Sequence, residues 1–568
     1  MMRVFLKKKS AVYWVILLLQ IVVCIYFGFL KKGFHEDEFY SYFSSNRTAG
    51  LFVVDRDFVD SSAIRSEFVV NKGESFRYGL VKLVQSWDVH PPFYYDILHT
   101  ACSVCVGRFS KWIGIGINLI AFVLAWFVLY LILKELEFSI GFRMMILTVW
   151  GFHPMTISFV MFCRMYMYLT FFVHLCAYLH IRLIKVLWNN ISFGNKKENR
   201  LKQYIHHIVP IIVCSFFGFL THYYYIIFFF YIALMTCLYW IFHAFRRNSY
   251  DNRIIKQSVC GILVYGASCI LSLLLGVVAF PSSVAQIFHG YRGKGAINEF
   301  VSAQNTLSRL RFFGGLLNRN VFGGAFYLIV IFIIAGNIYF AAKKKKTFIS
   351  GKGLMKTLIR SKVRVLKLII FVSAILYFLT VAKTALLLGD SSNRYEYPVY
   401  GLVIMMVMNY FLNLLIRFSD SFMIHRRKTS RFCLAFCVIF IVFDFWADFK
   451  GDMVLFLYPK NAESMSLARE HAESEGFAVV LYNSESSDKI WWLSDKLMEY
   501  PRIYMINEDN SMDITEELIQ NADNMIVYAA DGDNKDERLS QLLGTACKLS
   551  SIVELDSRDN WTTYSFEK

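Results

Sequence analysis

Residues 93–108 read FYYDILHTACSVCVGR, and whether they cross a membrane decides on which side every later loop lies. The segment is apolar enough to span, yet Asp96, His99, Thr100, Ser103 and Gly107 recur at three- and four-residue steps. That spacing gathers them on one face of a helix, as in a helix lying in the membrane interface. The stretch is therefore predicted to lie flat, opening just after Pro91 and Pro92, which pre-set a helix start.

Around this segment the composition requires a bilayer. The 568 residues are 56% hydrophobic, 17% aromatic and 18% charged, with a mean hydropathy of +0.43. These figures exclude disorder, collagen-like repeats and a small disulfide scaffold, and carry more apolar surface than one water-facing core can bury. Apolar runs of spanning length occur at 12–30, 112–133, 142–160, 165–187, 205–220, 223–245, 258–280, 321–342, 368–388, 399–416 and 432–449, about eleven helices. The first follows a basic start and lacks a small-residue cleavage site, so it is read as a retained span. The expected fold is mainly α: a polytopic helical bundle over 1–449, with a long first loop at 31–111, followed by a small α/β domain over 450–568. In that tail short β-type runs at 478–482, 502–506, 525–528 and 552–555 alternate with polar helical stretches.

Charge sets the expected orientation. The net charge is +17, but beyond residue 449 there are 11 Lys/Arg against 23 Asp/Glu, so a basic body carries an acidic tail. With 93–108 counted as interfacial, Arg3 with Lys7–Lys9, the basic residues of 196–202, Arg246 with Arg247, the run 343–346 and the run 426–428 all share one side. The positive-inside rule makes that side cytoplasmic. Counting the segment as a span would move all but the first cluster outside. The expectation is a multi-pass cell-membrane protein with a cytoplasmic N-terminus and an extracytoplasmic C-terminal domain. There is no nucleotide-binding loop and no internal repeat, and no nucleic-acid partner is expected. Of the 12 cysteines only Cys102 and Cys105 have a CxxC spacing; with no second pair, no metal or redox site is expected there.

Polar residues then collect at the outer ends of the spans. His35-Glu36-Asp37-Glu38 follows the first span; it is either a solvated loop or a crowded acid cluster whose mutual repulsion prepares one carboxylate to accept a proton. His90 precedes the two prolines and is either incidental to a helix start or aimed into a cavity. Arg164-Met165-Tyr166 lies at the turn into the fourth span, where an arginine could merely snorkel. Thr221-His222-Tyr223-Tyr224-Tyr225 could be an aromatic belt. Asn393-Arg394-Tyr395 opens a late span, with Lys383 at the end of the one before. Charge is costly in a membrane, so carboxylate, imidazole and guanidinium groups gathered at one mouth suggest a site for a polar headgroup whose tail stays in lipid. The outer loop 281–320, with Arg292, Lys294, Arg309, Arg311 and Arg319 against Glu299, is either solvated surface or a binder of an anion such as lipid phosphate.

Taken in order, the acidic pair of the first loop, His-Pro-Pro-Phe-Tyr-Tyr, Arg-Met-Tyr, His-Tyr and Arg-Tyr resemble the C-type (GT-C) membrane glycosyltransferases over roughly 12–449. More narrowly, they resemble the bacterial branch of the protein O-mannosyltransferase and lipid A aminoarabinose-transferase group. The resemblance implies that a polyprenyl-phosphate sugar gives its glycosyl group, with inversion, to a glycan, lipid or protein hydroxyl on the outer side. It maps the general base onto Asp37, with Glu38 beside it; the neighbouring Glu36 adds a third acid. The leaving phosphate needs cations, and Arg164 and Arg394 are the candidates, ahead of Lys383 and His222. His90, Tyr166, Tyr223 and Tyr395 complete the expected substrate-binding set. The three acids could hold a divalent metal, but no complete hard-oxygen ligand set is apparent and no cofactor is expected. The competing classes are a transporter or flippase for a lipid-linked sugar, which would place ionisable groups near the bilayer midplane, and a non-catalytic scaffold with an outer domain.

Overall fold

The structure is a computed structural model describing residues 2–47, 53–192, 200–247, 252–343, 361–421, 426–510, 512, 514–558 and 560–568. Within it, the long apolar runs fold as helices because a helix satisfies its own backbone inside lipid, and two of them carry an internal proline, Pro210 and Pro398. Among the described residues, eight helices are long and apolar enough to cross a membrane: Ala11–Leu30, Lys111–Glu135, Tyr166–Trp188, Tyr204–Thr221, Tyr224–Phe242, Ser258–Ala279, Lys362–Thr384 and Gly389–Ser421. Two more spans arise if each bent helix pair counts as one. The eleventh expected span lies on the helix Arg426–Phe449, which does not join that set among the described residues. The basic runs expected at 196–202 and 343–346 lie largely outside the described residues.

Both bends have local causes. Ile140–Phe152 and Pro154–Met161 meet at 49°, where Pro154 supplies no backbone donor and His153 is extended (φ −65, ψ 134), its Nδ1 accepting from Met155 N. Thr306–Val321 and Phe326–Phe340 meet at 100°, across Gly323 and Gly324, whose φ of 56 and 85 lie in the left-handed region that favours glycine.

The chain divides into two units. The first comprises Met1–Tyr26, Gln85–Tyr94 and Ile115–Leu455. Some of its buried polar groups pair across helices: Gln20 Nε2 donates to Leu147 O at 2.8 Å, and His180 Nε2 meets Tyr265 OH at 2.8 Å. The helix Tyr166–Ser192 packs on Arg200–Thr221, Tyr224–Arg247 and Asn393–Ser421, so the N-terminal ends of two of its neighbours and its own start lie on one cluster.

The second unit comprises Phe27–Val84, Tyr95–Gly114 and Phe456–Lys568. It is built on a six-stranded sheet of β1 (Asp57–Asp60), β2 (Phe477–Tyr482), β3 (Arg502–Asn507), β4 (Met525–Ala530), β5 (Ser551–Arg558) and β6 (Trp561–Glu567), in the order β1-β3-β2-β4-β6-β5. The central β3-β2-β4 pairs are parallel, and β1, β6 and β5 add antiparallel edges. β2 and β4 are buried along their whole length, which is why they read as continuous apolar runs rather than alternating ones. Val479, Leu481, Ile506, Val527, Leu542 and Phe566 form the core of one face. The first loop thus contributes a strand to the sheet: β1 pairs with β3 from Asp57↔Met505 to Asp60↔Arg502.

Residues 93–104 form a helix of 12 residues, about 18 Å long and too short for a bilayer core of about 30 Å. Its polar face meets protein. His99 Nε2 accepts from Arg77 N at 2.9 Å, Ser103 Oγ accepts from Phe76 N at 2.9 Å, and Thr100 Oγ1 meets Tyr78 OH at 3.0 Å.

Candidate active site

Three chain breaks in the first unit meet at one aromatic cluster. The first is the turn at 162–165. Asn118 Nδ2, from the helix Lys111–Glu135, donates to Phe162 O at 2.6 Å and Val160 O at 3.3 Å, taking up carbonyls that the ending helix Pro154–Met161 leaves open. Arg164 sits in this turn with only 4% of its surface exposed.

The second is the two-residue connection His222-Tyr223. His222 Nδ1 accepts from Tyr224 N at 3.0 Å and so acts as a helix cap. That bond fixes the tautomer: Nδ1 is the acceptor, so Nε2 carries the hydrogen of the neutral ring. Nε2 is buried and has no hydrogen-bond partner among the described residues. Burial, together with the positive charges of Arg164 and Arg394, pushes the imidazole pKa down to about 3. His222 is therefore a neutral N–H donor at any ordinary pH.

The third is the start of the helix Asn393–Ser421. Its first turn is held by Tyr400 OH donating to Asn393 Oδ1 at 2.7 Å and Tyr377 OH donating to Tyr395 O at 2.8 Å. Arg394 is 4% exposed, with its Cζ 5.1 Å from the Tyr395 ring centroid, 5.7 Å from Phe162 and 5.8 Å from Tyr166. Tyr166 in turn lies 5.6 Å from His222 and 6.0 Å from Tyr395 by ring centroid, and Tyr224 lies 5.7 Å from Tyr395. His90 closes the ring at 5.6 Å from His222.

His90 is placed by a residue that the sequence does not mark. Gln286 Nε2 donates to Gln85 O at 2.7 Å and Asp88 O at 2.6 Å, while its Oε1 accepts from Tyr223 OH. One amide thus clamps the turn before His90 to the His222-Tyr223 connection. Tyr223 is outside the ring cluster and serves this clamp; burial and the Asp88 charge raise its phenol pKa. Glu396, fully buried two residues beyond Arg394, is a further polar group that sequence patterning passes over. Lys383 takes another direction: its Nζ donates to Gln304 O at 3.0 Å. In the basic loop, Arg309 pairs with Glu299 at 3.6 Å and Arg319 with Asp390, so both face protein carboxylates.

Asp37 and Glu38 belong to the second unit. His35 caps the helix Glu36–Asn46 in a reciprocal box: its Nδ1 accepts from Asp37 N at 3.1 Å, and its N donates to Glu38 Oε2 at 2.6 Å. The same Glu38 oxygen receives Lys31 Nζ at 2.9 Å, and both side chains are fully buried. Lys31 also donates to Phe456 O at 2.8 Å. Glu38 is thereby committed to structure, whereas the Asp37 side chain keeps 25% exposure and lies 3.5 Å from His35. Ligand atoms of His35, Glu36 and Asp37 lie within 4.8 Å of one another, a spacing that fits a divalent cation with open coordination positions.

No family model matches the chain, and no curated protein matches it. Among solved structures it is similar to ArnT from Cupriavidus metallidurans bound to undecaprenyl phosphate, at 12% identity and a TM-score of 0.46 over 97% of both chains. The apo form of the same protein gives 11% identity and a TM-score of 0.44 over 98% of both chains. The archaeal oligosaccharyltransferase AglB from Archaeoglobus fulgidus, in complex with an inhibitory peptide and a dolichol-phosphate, gives 13% identity and a TM-score of 0.43, covering 91% of this chain and 69% of that one.

Proposed function

We propose that the chain is a membrane glycosyltransferase that moves a sugar from a polyprenyl phosphate to an acceptor hydroxyl on the outer side of the membrane. Its N-terminus would be cytoplasmic and residues 450–568 extracytoplasmic. One observation carries this reading: two buried guanidinium groups, Arg164 and Arg394, both act on His222, whose neutral N–H has no protein acceptor among the described residues. A phosphate suits this grouping of two cations and an N–H donor, since each guanidinium can grip it with two parallel hydrogen bonds and His222 adds a third donor.

The chemistry follows from charge. The bond from the anomeric carbon to the phosphate oxygen breaks, its electron pair stays on that oxygen, and Arg164, Arg394 and His222 stabilise the charge that develops. The acceptor oxygen forms the new bond from the opposite face, inverting the centre, while its proton passes to Asp37. Asp37 is preferred to Glu38 because Glu38 is held by Lys31 and the His35 backbone. Tyr166, Tyr395 and His90 frame the headgroup, Tyr223 positions the His222 turn, and Lys383 acts on the neighbouring loop. A metal held at His35, Glu36 and Asp37 would bind the Asp37 carboxylate and lower its basicity, so it would compete with the base role.

The test is transfer in membranes from a radiolabelled polyprenyl-phosphate sugar to an acceptor extract. Native protein should transfer, and Asp37→Asn should lose transfer while still folding. Undiminished transfer by Asp37→Asn would remove Asp37 as base. Inward accumulation of the label without a new glycosidic bond would favour a transporter.

A further inference from the structure

Between the span Ser258–Ala279 and the apolar helix Phe326–Lys343 the first unit carries two short helices, Ser282–Phe288 and Tyr291–Val301. Only Phe280 and Pro281 separate Ala279 from Ser282, so the first of them begins where the span leaves the bilayer core. That helix has two opposite faces. Ser283 and Gln286 are buried, and Gln286 is the clamp on the His222-Tyr223 connection. Val284 and Phe288, one turn apart on the other side, are exposed, like Leu274 and Val278 on the span before them. The second helix leans on Lys362–Thr384, yet none of its residues is buried. Ile297, Phe300 and Val301 share one of its faces at three- and four-residue steps, and Leu307 follows just beyond. Phe288, Phe300, Val301 and Leu307 keep 56–81% of their surface exposed.

Charge narrows what covers this apolar face. Residues 281–320 hold five Lys/Arg and one acid, Glu299, which Arg309 meets at 3.6 Å. Arg319 is taken by Asp390. Arg292 and Lys294 are exposed, and among the described residues no ion pair holds either. Lys294 stands three residues before Ile297, at the edge of the apolar strip. Large apolar side chains bordered by cations match the acyl boundary and the phosphates of an anionic lipid surface. An acidic protein groove would supply the charge as well, but the segment is tied at both ends to apolar helices of the bundle, so lipid is what lies against it.

We infer that residues 282–307 lie in the membrane interface beside the candidate site, with Phe288, Phe300, Val301 and Leu307 among acyl chains and Arg292 and Lys294 on the phosphates of anionic phospholipid. The same seat holds the helix that bears Gln286; that this lowers the donor KM rests on the transferase reading. Full-length protein is placed in nanodiscs with trifluoromethylphenylalanine in place of Phe300 or, separately, of Phe288. A lipid with a nitroxide on its acyl chain should broaden both fluorine lines, and a soluble gadolinium chelate should leave them sharp. Broadening by gadolinium alone would put the segment in water, and lines spared by both reagents would bury it in protein; either result overturns the inference. Protein purified from mixed phosphatidylglycerol and phosphatidylcholine should retain the anionic lipid in native mass spectra. Arg292→Gln with Lys294→Gln, at an unchanged melting temperature, should retain about threefold less. Equal retention overturns the anionic assignment, and should the pair unfold, Lys294→Gln alone carries the comparison. Phe288→Asp should raise the donor KM about tenfold, and an unchanged KM would cut the link to Gln286. A native chain that transfers no sugar sinks the transferase reading and leaves the fluorine result standing.

Discussion

The imidazoles of His90 and His222 face each other with ring centroids 5.6 Å apart and planes tilted by 39°. His222 has its tautomer set by Tyr224 N and its charge suppressed by burial and by two arginines. If its role is to donate Nε2–H, shape alone will not replace it. His222→Phe should lower kcat by about a hundredfold, and His222→Asn, which restores an N–H, should recover about tenfold of that. The pH–rate profile should show no limb from this residue between about pH 5 and 8, because the ring is already neutral there.

Arg394 rests among the rings of Phe162, Tyr166 and Tyr395. Lysine keeps the charge but cannot grip two oxygens at once or lie flat on the rings. Arg394→Lys should lower kcat/KM for the lipid donor by about tenfold to a hundredfold, and Arg164→Lys should do likewise. The double variant should lose less than the product, since both act on one anion. Kinetics on a single labelled donor check this.

Gln286 touches no reacting atom under the mechanism proposed; it spans Tyr223 OH and the carbonyls of Gln85 and Asp88. Gln286→Ala should raise the donor KM roughly tenfold by loosening His90. Gln286→Glu keeps the acceptor for Tyr223 but removes the donors, and should fail to rescue. Equal activity of Gln286→Ala and native enzyme would reduce the clamp to packing.

Lys31 and Glu38 form an ion pair with no exposed side-chain surface. Lys31→Met strands a buried carboxylate and should cost about 3–5 kcal/mol of stability. Lys31→Met combined with Glu38→Gln should recover much of that loss in thermal unfolding.

Glu67 gives a pH signature. Burial pushes its carboxyl up to about 7, only partly offset by Arg47 at 4.0 Å. The folded chain therefore keeps a proton that the unfolded chain releases from its ordinary value of 4.5 upward. The associated stability is complete below that value and is lost as pH rises through about 7. Glu67→Gln should flatten the fall in unfolding free energy between about pH 5 and 8, by on the order of 2 kcal/mol.

Much of this architecture is legible in the chain because lipid demands long uncharged runs and buried parallel strands demand continuous apolar ones. The runs expected at 478–482, 502–506, 525–528 and 552–555 fall on β2 to β5. β1 and β6 escape notice because Asp57–Asp60 is short with acids at both ends and Trp561–Glu567 is rich in Thr and Ser; pairing, not pattern, makes them strands. Arg164, Tyr166, His222, Arg394 and Tyr395 can be read from their place at span ends, but their meeting depends on how helices pack. Gln286 has no local signal at all, since its three partners come from distant segments. Asp444 and Asp448, both buried on the helix Arg426–Phe449, are likewise hidden within an apolar run. Lys383 shows the opposite limit: proximity in sequence to Arg394 does not decide which carbonyl a flexible side chain finds.

The pairing of β1 with β3 also imposes an order on biogenesis. β1 lies at one edge of the sheet with β3 as its sole neighbour, so the strand leaves the ribosome with almost the entire bundle still to be translated. Until Arg502–Asn507 emerges, its backbone donors and acceptors have no mate. A tail domain expressed without the first loop would in turn present β3 as a bare edge open to intermolecular pairing. Completion of the β1 edge thus waits on β3, which is made more than four hundred residues later.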